Sequence, residues 1–419
     1  MKPNRSVYVI GAAHSTFLGR GRSEFIWRKH PDYGKKSNPN LEQHLATAVR
    51  KVFALTNLDP TRIDKAFVSN FLAERFCNQG HLGAMLPAVC PALNGKPISR
   101  VEAACASGGA AIISGIDALQ GGCDFALVAG VEIETNVPGK EGVEHMALAA
   151  HFAKQRHLEF ALFPYIFAKR AKAYKETFGV TDSDIAHVVE KAYRNANKNP
   201  LALKYEVQLT LQEATQESHH NPTFLQNPEL KPHIKMSDCT AFTDGASALI
   251  LASEDGLRKA GIAKSSTIEI LSYGHRVCAL GEDTDPTQLH NMRGAAEDAY
   301  KDGRISPEQI QIAEVHDCFS ITEIQMVEAM GFAAIGTGAS WIAHGNSQLQ
   351  GRLPINTGGG LLGFGHPIGA TGIKQVGEIW RQMKGHCHKY QVNSPLQYGL
   401  TANLGGDDRT GIVMLMQNH

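Results

Sequence analysis

Long hydrophobic runs and an excess of one charge are both missing from the 419-residue sequence. No stretch approaches the roughly 18 apolar residues that a membrane-spanning helix needs. The 41 Lys and Arg residues balance 41 Asp and Glu residues, so no net field draws the chain onto nucleic acid or an anionic membrane. With 43% hydrophobic and 20% charged residues, the composition gives no support to disordered, collagen-like or coiled-coil classes. An ordinary folded protein of about three domain-sized units is expected.

Paired cysteine spacings are missing as well. The eight cysteines are spread through the chain without a C-x-x-C pair, so neither a disulfide framework nor a zinc ribbon is indicated. The N-terminus enters an apolar, strand-like run by Ser6, which leaves no room for a signal peptide. Residues 414–419 carry no peroxisomal signal. We therefore expect a cytoplasmic protein in a reducing compartment.

The sequence does contain an internal repeat, in which predicted elements occur in the same order twice. Each copy has a strand, a helix, a proline-containing turn and a second strand, at residues 7–10, 41–52, 58–64 and 66–68 and again at 267–271, 292–301, 305–311 and 312–315. The turns align without a gap, with Pro60 on Pro307 and Ile63 on Ile310. Two short turns could resemble each other by chance, but the repeated order favours duplication. Alternating strands and helices predict an α/β protein with layered sheets.

A second correspondence and an insertion complete the predicted organisation. A strand, a loop and a helix at 99–121 correspond to the same elements at 354–384. The segment between the halves is richer in polar residues, with an amphipathic helix near 166–178 and a loose stretch around 197–232. A strand at 247–252 then closes the first half. The predicted units are an N-terminal half at 1–134 and 236–264, an inserted loop domain at 135–235, and a C-terminal half at 265–419.

Cys105 is the first candidate for a reactive group, because it stands between a strand and the first turn of a helix in the segment 101–109. Unpaired N–H groups and the helix dipole at such a position stabilise a thiolate, which predicts a pKa below the usual value of about 8.5. Small neighbours leave room for a substrate. The motif alone supports a buried, inert cysteine equally well.

A glycine-rich loop at 356–372 contains the second candidate, His366, between Gly365 and Pro367. No Gly-Lys-Ser/Thr follows the glycines, which disfavours a phosphate-binding P-loop, and their spacing does not fit a dinucleotide-binding turn. A single histidine in a loop is more often a surface residue than a catalyst. A catalytic role for His366 is therefore inferred only from its occurrence together with the other motifs.

His316 and Cys318 follow an apolar strand and are the third candidate pair. Positions i and i+2 of an extended segment share a face, so both side chains are predicted to point into one pocket. A zinc site needs three or four ligands, and no second pair at ligand spacing lies nearby, so no metal site is predicted. The tract His386-Cys387-His388 is interpreted as a solvent-exposed loop.

The fourth motif is a predicted strand at 400–404 that ends in the glycine turn Gly405-Gly406. Such a turn can direct a backbone N–H at a developing oxyanion. Taken locally, a simple hairpin turn into a final strand at 412–416 explains it better.

Together the four motifs resemble those of the thiolase superfamily, and more closely the sterol-carrier-protein-type thiolases, whose second motif is His-Asp-Cys-Phe, as at 316–319. The segments 79–84 and 243–246 are also similar to that family, so the resemblance spans essentially the whole chain. It implies a duplicated thiolase fold in five layers, αβαβα, with an inserted loop domain that holds coenzyme A. It further implies CoA as a substrate, no permanently bound cofactor, and a homodimer or homotetramer.

The resemblance also implies a role for each candidate residue. Cys105 would attack the keto carbon of a 3-oxoacyl-CoA after His366 removes its proton, and the N–H groups of Cys105 and Gly405 would form an oxyanion hole. The enolate oxygen of acetyl-CoA would face His316 and His366, while Cys318 delivers a proton to carbon. Most thiolases have an acid/base cysteine where this chain has Asn403. In the His-Asp-Cys-Phe subgroup Cys318 is implied to replace it.

The expected function is therefore acetyl-CoA C-acyltransferase or acetyltransferase activity, with a place in lipid metabolism such as fatty acid β-oxidation. Two alternatives stay open at the level of sequence. A ketosynthase-like condensing enzyme would prefer acyl-carrier protein to acyl-CoA. A non-catalytic acyl-CoA or lipid-binding subunit, serving a partner such as a hydratase or aldolase, would bind CoA esters without turnover.

Overall fold

Two α/β halves joined at the edges of their sheets make up the computed structural model, which describes residues 1–419. The strands are β1 (Val7–His14), β2 (Lys65–Ser69), β3 (Ile98–Val101), β4 (Phe125–Glu132), β5 (Gly245–Ser253), β6 (Ile268–Val277), β7 (Ile312–Val315), β8 (Tyr398–Gly405) and β9 (Thr410–Asn418). Their order in the sheet is β3-β2-β4-β5-β1-β6-β9-β8-β7. The antiparallel pairs Tyr8 with Glu269 and Val9 with Ile268 connect the two halves.

Fourteen α-helices accompany the strands. They are α1 (Leu41–Thr56), α2 (Ala73–Phe76), α3 (Met85–Val89), α4 (Ser107–Gln120), α5 (Gly139–Met146), α6 (Phe152–Gln155), α7 (Leu162–Phe178), α8 (Asp182–Ala196), α9 (Leu211–Thr215), α10 (Glu254–Ala260), α11 (His290–Gly303), α12 (Ser320–Ala329), α13 (Gly338–Ala343) and α14 (Ile368–Met383). No helix combines the length and the hydropathy that crossing a bilayer requires.

The strand pairing shows the duplication directly. In the first half β2 pairs in parallel with β3 and β4, and β5 pairs antiparallel with β4 and β1. In the second half β7 pairs in parallel with β8, and β9 pairs antiparallel with β8 and β6. A single bridge from Ala313 to Ile355 takes the place of the β2–β3 pairing. The chain therefore repeats one supersecondary unit.

The two aligned turns are also the same structure. Pro60–Arg62 and Pro307–Gln309 each form one 3₁₀ turn, and each turn closes with a hydrogen bond of 3.2 Å from the following isoleucine N–H to the proline carbonyl. Proline suits the first helical position because its missing N–H would have no intrahelical partner there. The predicted alignment of Ile63 with Ile310 thus reflects equivalent positions before β2 and β7.

Five layers result from the packing of the helices. Helix α1 covers the outer face of the first half, with Leu45, Val49 and Val52 buried against β1 and β5, and α11 covers the outer face of the second half against β6 and β9. Helices α4 and α14 lie between the halves and share a hydrophobic cluster with strands of both. The order helix, sheet, helices, sheet, helix is the αβαβα arrangement expected from the sequence.

Glycines bring the two central helices into backbone contact. A Cβ added at Gly108 would lie 2.7 Å from the Gly372 nitrogen, and one added at Gly372 would collide with the Gly109 nitrogen. Real Cβ atoms do not approach backbone so closely, so both positions require glycine. Because Cys105 precedes α4 and His366 precedes α14, this crossing sets the distance between the two motifs.

The segment between β4 and β5 packs on the second half. Its helix α7 contains the predicted amphipathic stretch, and Phe167 stacks on Phe319 with ring centroids 4.3 Å apart. Arg170 binds the Asp407 carboxylate at 2.6 Å. The buried residues of α7 and α8 belong to the same hydrophobic cluster as those of α11 and α12. The capping box formed by Thr181 and Asp184 marks the start of α8, a helix absent from the elements predicted above.

One surface prediction needs correction. His386 and His388 are exposed as expected, but the Cys387 side chain between them is fully buried. The chain turns back after α14, and the Cys387 N–H donates to Gln391 Oε1 at 3.1 Å. Neighbouring side chains in such a turn point in different directions, so a tract of exposed polar residues can contain one that is buried.

We expect Gly372→Ala to destabilise the protein by about 1–3 kcal/mol, because the added methyl group overpacks the α4–α14 crossing. The added Cβ would also collide with Asn403 Oδ1. Urea denaturation measures the change. Gly139→Ala is the matched control, because nothing lies within 4 Å of a Cβ at that helical position. Equal stability of the two variants would show that the crossing tolerates a side chain.

Candidate active site

The four predicted side chains converge where three chain segments meet. The sulfur of Cys105 and the ring nitrogens of His316 and His366 lie within 4.8 Å of one another. The two imidazole rings are perpendicular, at an interplanar angle of 89°, with centroids 5.0 Å apart. Cys318 is buried beside them, its sulfur 3.9 Å from Thr322 Oγ1. Only Cys105 is partly exposed, so it forms the mouth of the site.

A tight turn presents Cys105. The preceding Ala104 has a φ of 49°, in the left-handed region that non-glycine residues rarely adopt. The Ser107 hydroxyl holds this conformation, because it donates to the Ala104 carbonyl and accepts the Ala103 N–H at 2.9 Å. Backbone strain of this kind typically accompanies functional sites. The turn projects the sulfur at the start of α4, as the sequence predicts.

The predicted low pKa of Cys105 is wrong. Burial raises the pKa of the thiol to about 12, and the nearby carboxylates of Glu134 and Glu132 raise it further, against hydrogen bonds from the N–H groups of Gly406 and of Cys105 itself. The helix N-terminus stabilises the thiolate of Cys105, but removal of the sulfur from solvent destabilises that thiolate by more. The resting nucleophile is therefore a thiol that needs a base.

His366 is oriented to be that base. Its Nδ1 lies 2.6 Å from Thr371 Oγ1, and that hydroxyl donates its own hydrogen to the Pro367 carbonyl at 3.1 Å. With the hydroxyl hydrogen on the Pro367 carbonyl, the hydroxyl oxygen accepts from the ring, so that Nδ1 carries the ring proton and Nε2 a lone pair. Burial, and then the charge of Lys374, lowers the pKa of His366 to about 3. The imidazole is neutral, and its free nitrogen faces the site.

Two buried glutamates hold the loop that carries His366. Glu132 accepts the Gly369 N–H at 3.0 Å, and Glu134 accepts the Ile368 N–H at 3.2 Å. These are the first N–H groups of α14, which lack intrahelical partners. Burial raises the pKa of Glu132 to about 7 and that of Glu134 well above its ordinary value. Neither glutamate is among the predicted site residues, and the signal that could have indicated them is a pair of acids at the end of the apolar strand β4.

A buried ion pair, also absent from the predicted site residues, supports the other side of the site. Lys374 on α14 binds Glu314 on β7 at 2.8 Å and donates to the Gly360 carbonyl at 3.0 Å. Burial, and after it the charges of His366 and Lys374, lowers the pKa of His316 well below its ordinary value. Asp317 accepts the Leu361 N–H at 2.6 Å. These bonds hold the end of β7, which His316 follows, against the glycine-rich loop.

Gly405 and Gly406 lie against the nucleophile turn. A Cβ at Gly405 would lie 2.7 Å from the Ala103 carbonyl oxygen, so no larger residue fits there. The N–H of Gly406, at a φ of 65°, lies close enough to the Cys105 sulfur to favour its thiolate and so to lower the pKa of the thiol against the effect of burial. The glycine turn is thus both the hairpin turn between β8 and β9 and a part of the site.

A metal ion is the other species that this donor set could hold. Tetrahedral zinc needs ligand atoms about 3.3–3.8 Å apart, given zinc bonds of about 2.0–2.3 Å. The donor atoms of Cys105, His316 and His366 lie within 4.8 Å of one another, a limit wider than the spacing that zinc needs. The three residues come from separate segments, which is why ligand spacing in the sequence could not reveal the cluster. That no metal is required stays a prediction.

Comparisons with known proteins agree with this geometry. The sequence matches the family descriptions "Thiolase, N-terminal domain" over residues 31–255 and "Thiolase C-terminal domain-like" over 272–418. An acetyl-CoA acetyltransferase of Methanothermobacter thermautotrophicus is 34% identical over 84% of this chain and 88% of that protein. Sterol carrier protein 2 of Homo sapiens is 26% identical over 96% of this chain and 70% of that protein. Human mitochondrial 3-ketoacyl-CoA thiolase in complex with CoA shares the fold at a TM-score of 0.68 and 14% identity, over 100% of this chain and 99% of that one.

The chain belongs to the thiolase superfamily and is an acyltransferase. The similarity to sterol carrier protein 2 confirms the predicted relationship to the sterol-carrier-protein-type branch. The shared fold confirms the duplicated α/β architecture.

We expect alkylation of Cys105 by iodoacetamide to accelerate about tenfold per pH unit between pH 7 and 10, because a thiol of raised pKa is mostly protonated throughout that range. Peptide mass spectrometry of the modified protein measures the rate at this residue, with Cys105→Ser identifying the background. A rate that is already constant between pH 7 and 9 would instead show a preformed thiolate.

Proposed function

We propose that this enzyme cleaves 3-oxoacyl-CoA with free CoA to give acetyl-CoA and a shortened acyl-CoA, or runs the reverse Claisen condensation, through an acyl group on Cys105. The observation that carries the proposal is that the sulfur of Cys105, a partly exposed residue, and one nitrogen of each of two buried, neutral imidazoles lie within 4.8 Å of one another. A thiolate is both a good nucleophile and a good leaving group, so it can divide one hard step into two easier ones.

In the first step the Cys105 sulfur bonds to the keto carbon while its proton moves to Nε2 of His366. The thiol and the imidazole are both neutral at rest, so charge separates only as the carbon–sulfur bond forms. The developing oxyanion is assigned to the N–H groups of Cys105 and Gly405, as the family resemblance implies. Donors placed at such an oxyanion contribute about 10²–10³-fold to the rate.

In the second step the bond between the α and β carbons breaks and leaves an acyl-Cys105 thioester and the enolate of acetyl-CoA. The enolate oxygen faces His316 and the protonated His366, and Cys318 transfers its proton to the enolate carbon. The Cys318 thiolate then takes the proton of incoming CoA, whose sulfur attacks the thioester. Cys105 leaves and recovers its proton from His366, so the cycle closes without a net change in the enzyme.

The inserted segment is proposed to border the path of the acyl-CoA. Its residues Met146, Leu148 and Phe163, like Cys105, pack against a small apolar cluster that contains Ala149 and Ile368. The CoA complex of the human thiolase with the same fold supports CoA as the substrate. The domain boundaries, the dimeric or tetrameric assembly, the cytoplasmic location and a role in fatty acid β-oxidation stay predictions. The ketosynthase-like alternative and the association with a partner subunit stay predictions as well.

We expect Cys105→Ala to lower thiolysis of acetoacetyl-CoA by at least about 10⁴-fold, because the nucleophile is lost. Loss of the 3-oxoacyl-CoA absorbance on adding CoA measures the reaction, and mass spectrometry detects an acetylated Cys105 in the unmodified enzyme. Cys123→Ala, a half-buried cysteine in the loop before β4, is the control and should retain activity. Turnover by Cys105→Ala at the control's rate would refute the mechanism.

We expect Cys318→Ala to lower thiolysis by about 10²–10⁴-fold, which is the usual contribution of a general acid or base. Alkylation of Cys105 should continue at the rate of the unmodified enzyme, because His366 remains. Cys239→Ala is the matched control, since Cys239 pairs with Phe319 but has no assigned step. Thiolysis by Cys318→Ala within tenfold of the control would show that Cys318 does not replace the cysteine that most relatives have at position 403.

A further inference from the structure

We propose that Asn403 is a positioning residue that holds His316 in the tautomer with its proton on Nε2, so that His316 donates a hydrogen bond to the enolate oxygen. This inference rests on the proposed function for the identity of the acceptor. Asn403 occupies β8 where most thiolases have an acid/base cysteine, and no step of the reaction is assigned to it. The hydrogen bonds of the Asn403 side chain indicate a different role for this residue.

The orientation of the Asn403 amide is fixed by two backbone groups. One end of the side chain accepts the Gly109 N–H at 3.1 Å, and the other lies 3.0 Å from the Cys105 carbonyl oxygen. A backbone N–H only donates and a carbonyl oxygen only accepts, so the first end is Oδ1 and the second is Nδ2. The assignment therefore does not depend on telling nitrogen from oxygen in the side chain.

This orientation determines where His316 carries its proton. The Asn403 Nδ2 lies 3.3 Å from His316 Nδ1, and an amide NH₂ group can only donate. Nδ1 must therefore be the acceptor, and the single proton of the neutral ring lies on Nε2. That Nε2 is fully buried and has no partner within the chain. A buried donor of this kind fits an acceptor that arrives with the substrate.

The two imidazoles are consequently held in opposite tautomers. Thr371 places the proton of His366 on Nδ1 and leaves Nε2 as a base, whereas Asn403 places the proton of His316 on Nε2 and makes it a donor. The perpendicular rings thus present one lone pair and one N–H to the same small space. The same Asn403 amide binds the carbonyl of the nucleophile, which ties the donor to the turn of Cys105.

A purely structural role is the competing explanation, because Asn403 also joins α4 to β8. The substitution Asn403→Asp distinguishes the positioning role from the purely structural one. The carboxylate keeps an acceptor for the Gly109 N–H but has no hydrogen to give His316, so it draws the ring proton to Nδ1. Asn199→Asp is the matched control: Asn199 is buried and likewise joins a backbone N–H, of Leu201, to a backbone carbonyl, of Gly358, without touching a histidine.

Nitrogen-15 NMR of the histidine-labelled full-length protein tests the tautomer without requiring turnover. In the unmodified protein the His316 signals, identified by their loss in His316→Gln, should show the proton on Nε2. In Asn403→Asp the proton should appear on Nδ1 or on both nitrogens, and Asn199→Asp should leave the signals unchanged. A proton on Nδ1 in the unmodified protein would overturn the proposal, whether or not thiolysis is observed.

A double-mutant cycle tests the functional consequence. Asn403→Asp should lower kcat for thiolysis by about 10²–10³-fold, the effect of losing one oxyanion donor. In a His316→Asn background, where the side-chain amide donates without help, the same substitution should cost less than about fivefold. Equal losses in both backgrounds would show that Asn403 acts structurally. If Asn403→Asp fails to fold, Asn403→Leu removes the donor without adding charge and should give both tautomers of His316.

Discussion

The contact between Gly108 and Gly372 is the constraint on which the site depends. Two helices from opposite halves of the chain cross there without side chains between them. Their N-termini therefore meet, and with them the turn of Cys105 and the loop of His366. Neither half has a complete site, because the proposed base, His366, comes from one repeat and the proposed nucleophile, Cys105, from the other. Because the unit is duplicated, the N-terminus of α4 in one repeat can meet the N-terminus of α14 in the other.

The site is built to be uncharged at rest. Burial keeps the thiol protonated and both imidazoles neutral, while the ion pair of Lys374 with Glu314 is fixed in the surrounding layer. Charge then appears only during the reaction, when the sulfur attacks the keto carbon of the substrate and the keto oxygen becomes an oxyanion. The low dielectric that makes the resting thiol unreactive strengthens each hydrogen bond made to the transition state.

Much of this arrangement was predictable from the sequence because it depends on local periodicity. The strand at 312–315 was predicted at the residues it occupies, and helices were predicted within 99–121 and 354–384, where α4 and α14 lie. The pKa of Cys105, the burial of Cys387 and the support from Glu132 and Glu134 depend on residues far apart in the chain. Such effects arise only when the layers assemble, so the pair of acids at the end of β4 marks the position of the two glutamates but not the N–H groups that they bind.

The stacking of Phe167 on Phe319 links the inserted segment to the proton donor. Phe319 directly follows Cys318, and Phe167 lies in the segment that is proposed to border the acyl path. A change that widens this path for a bulkier acyl chain would thus shift the proton donor as well. Substrate selectivity and the rate of proton transfer would then change together, so that evolution toward a new substrate would have to readjust Cys318 along with the proposed acyl path.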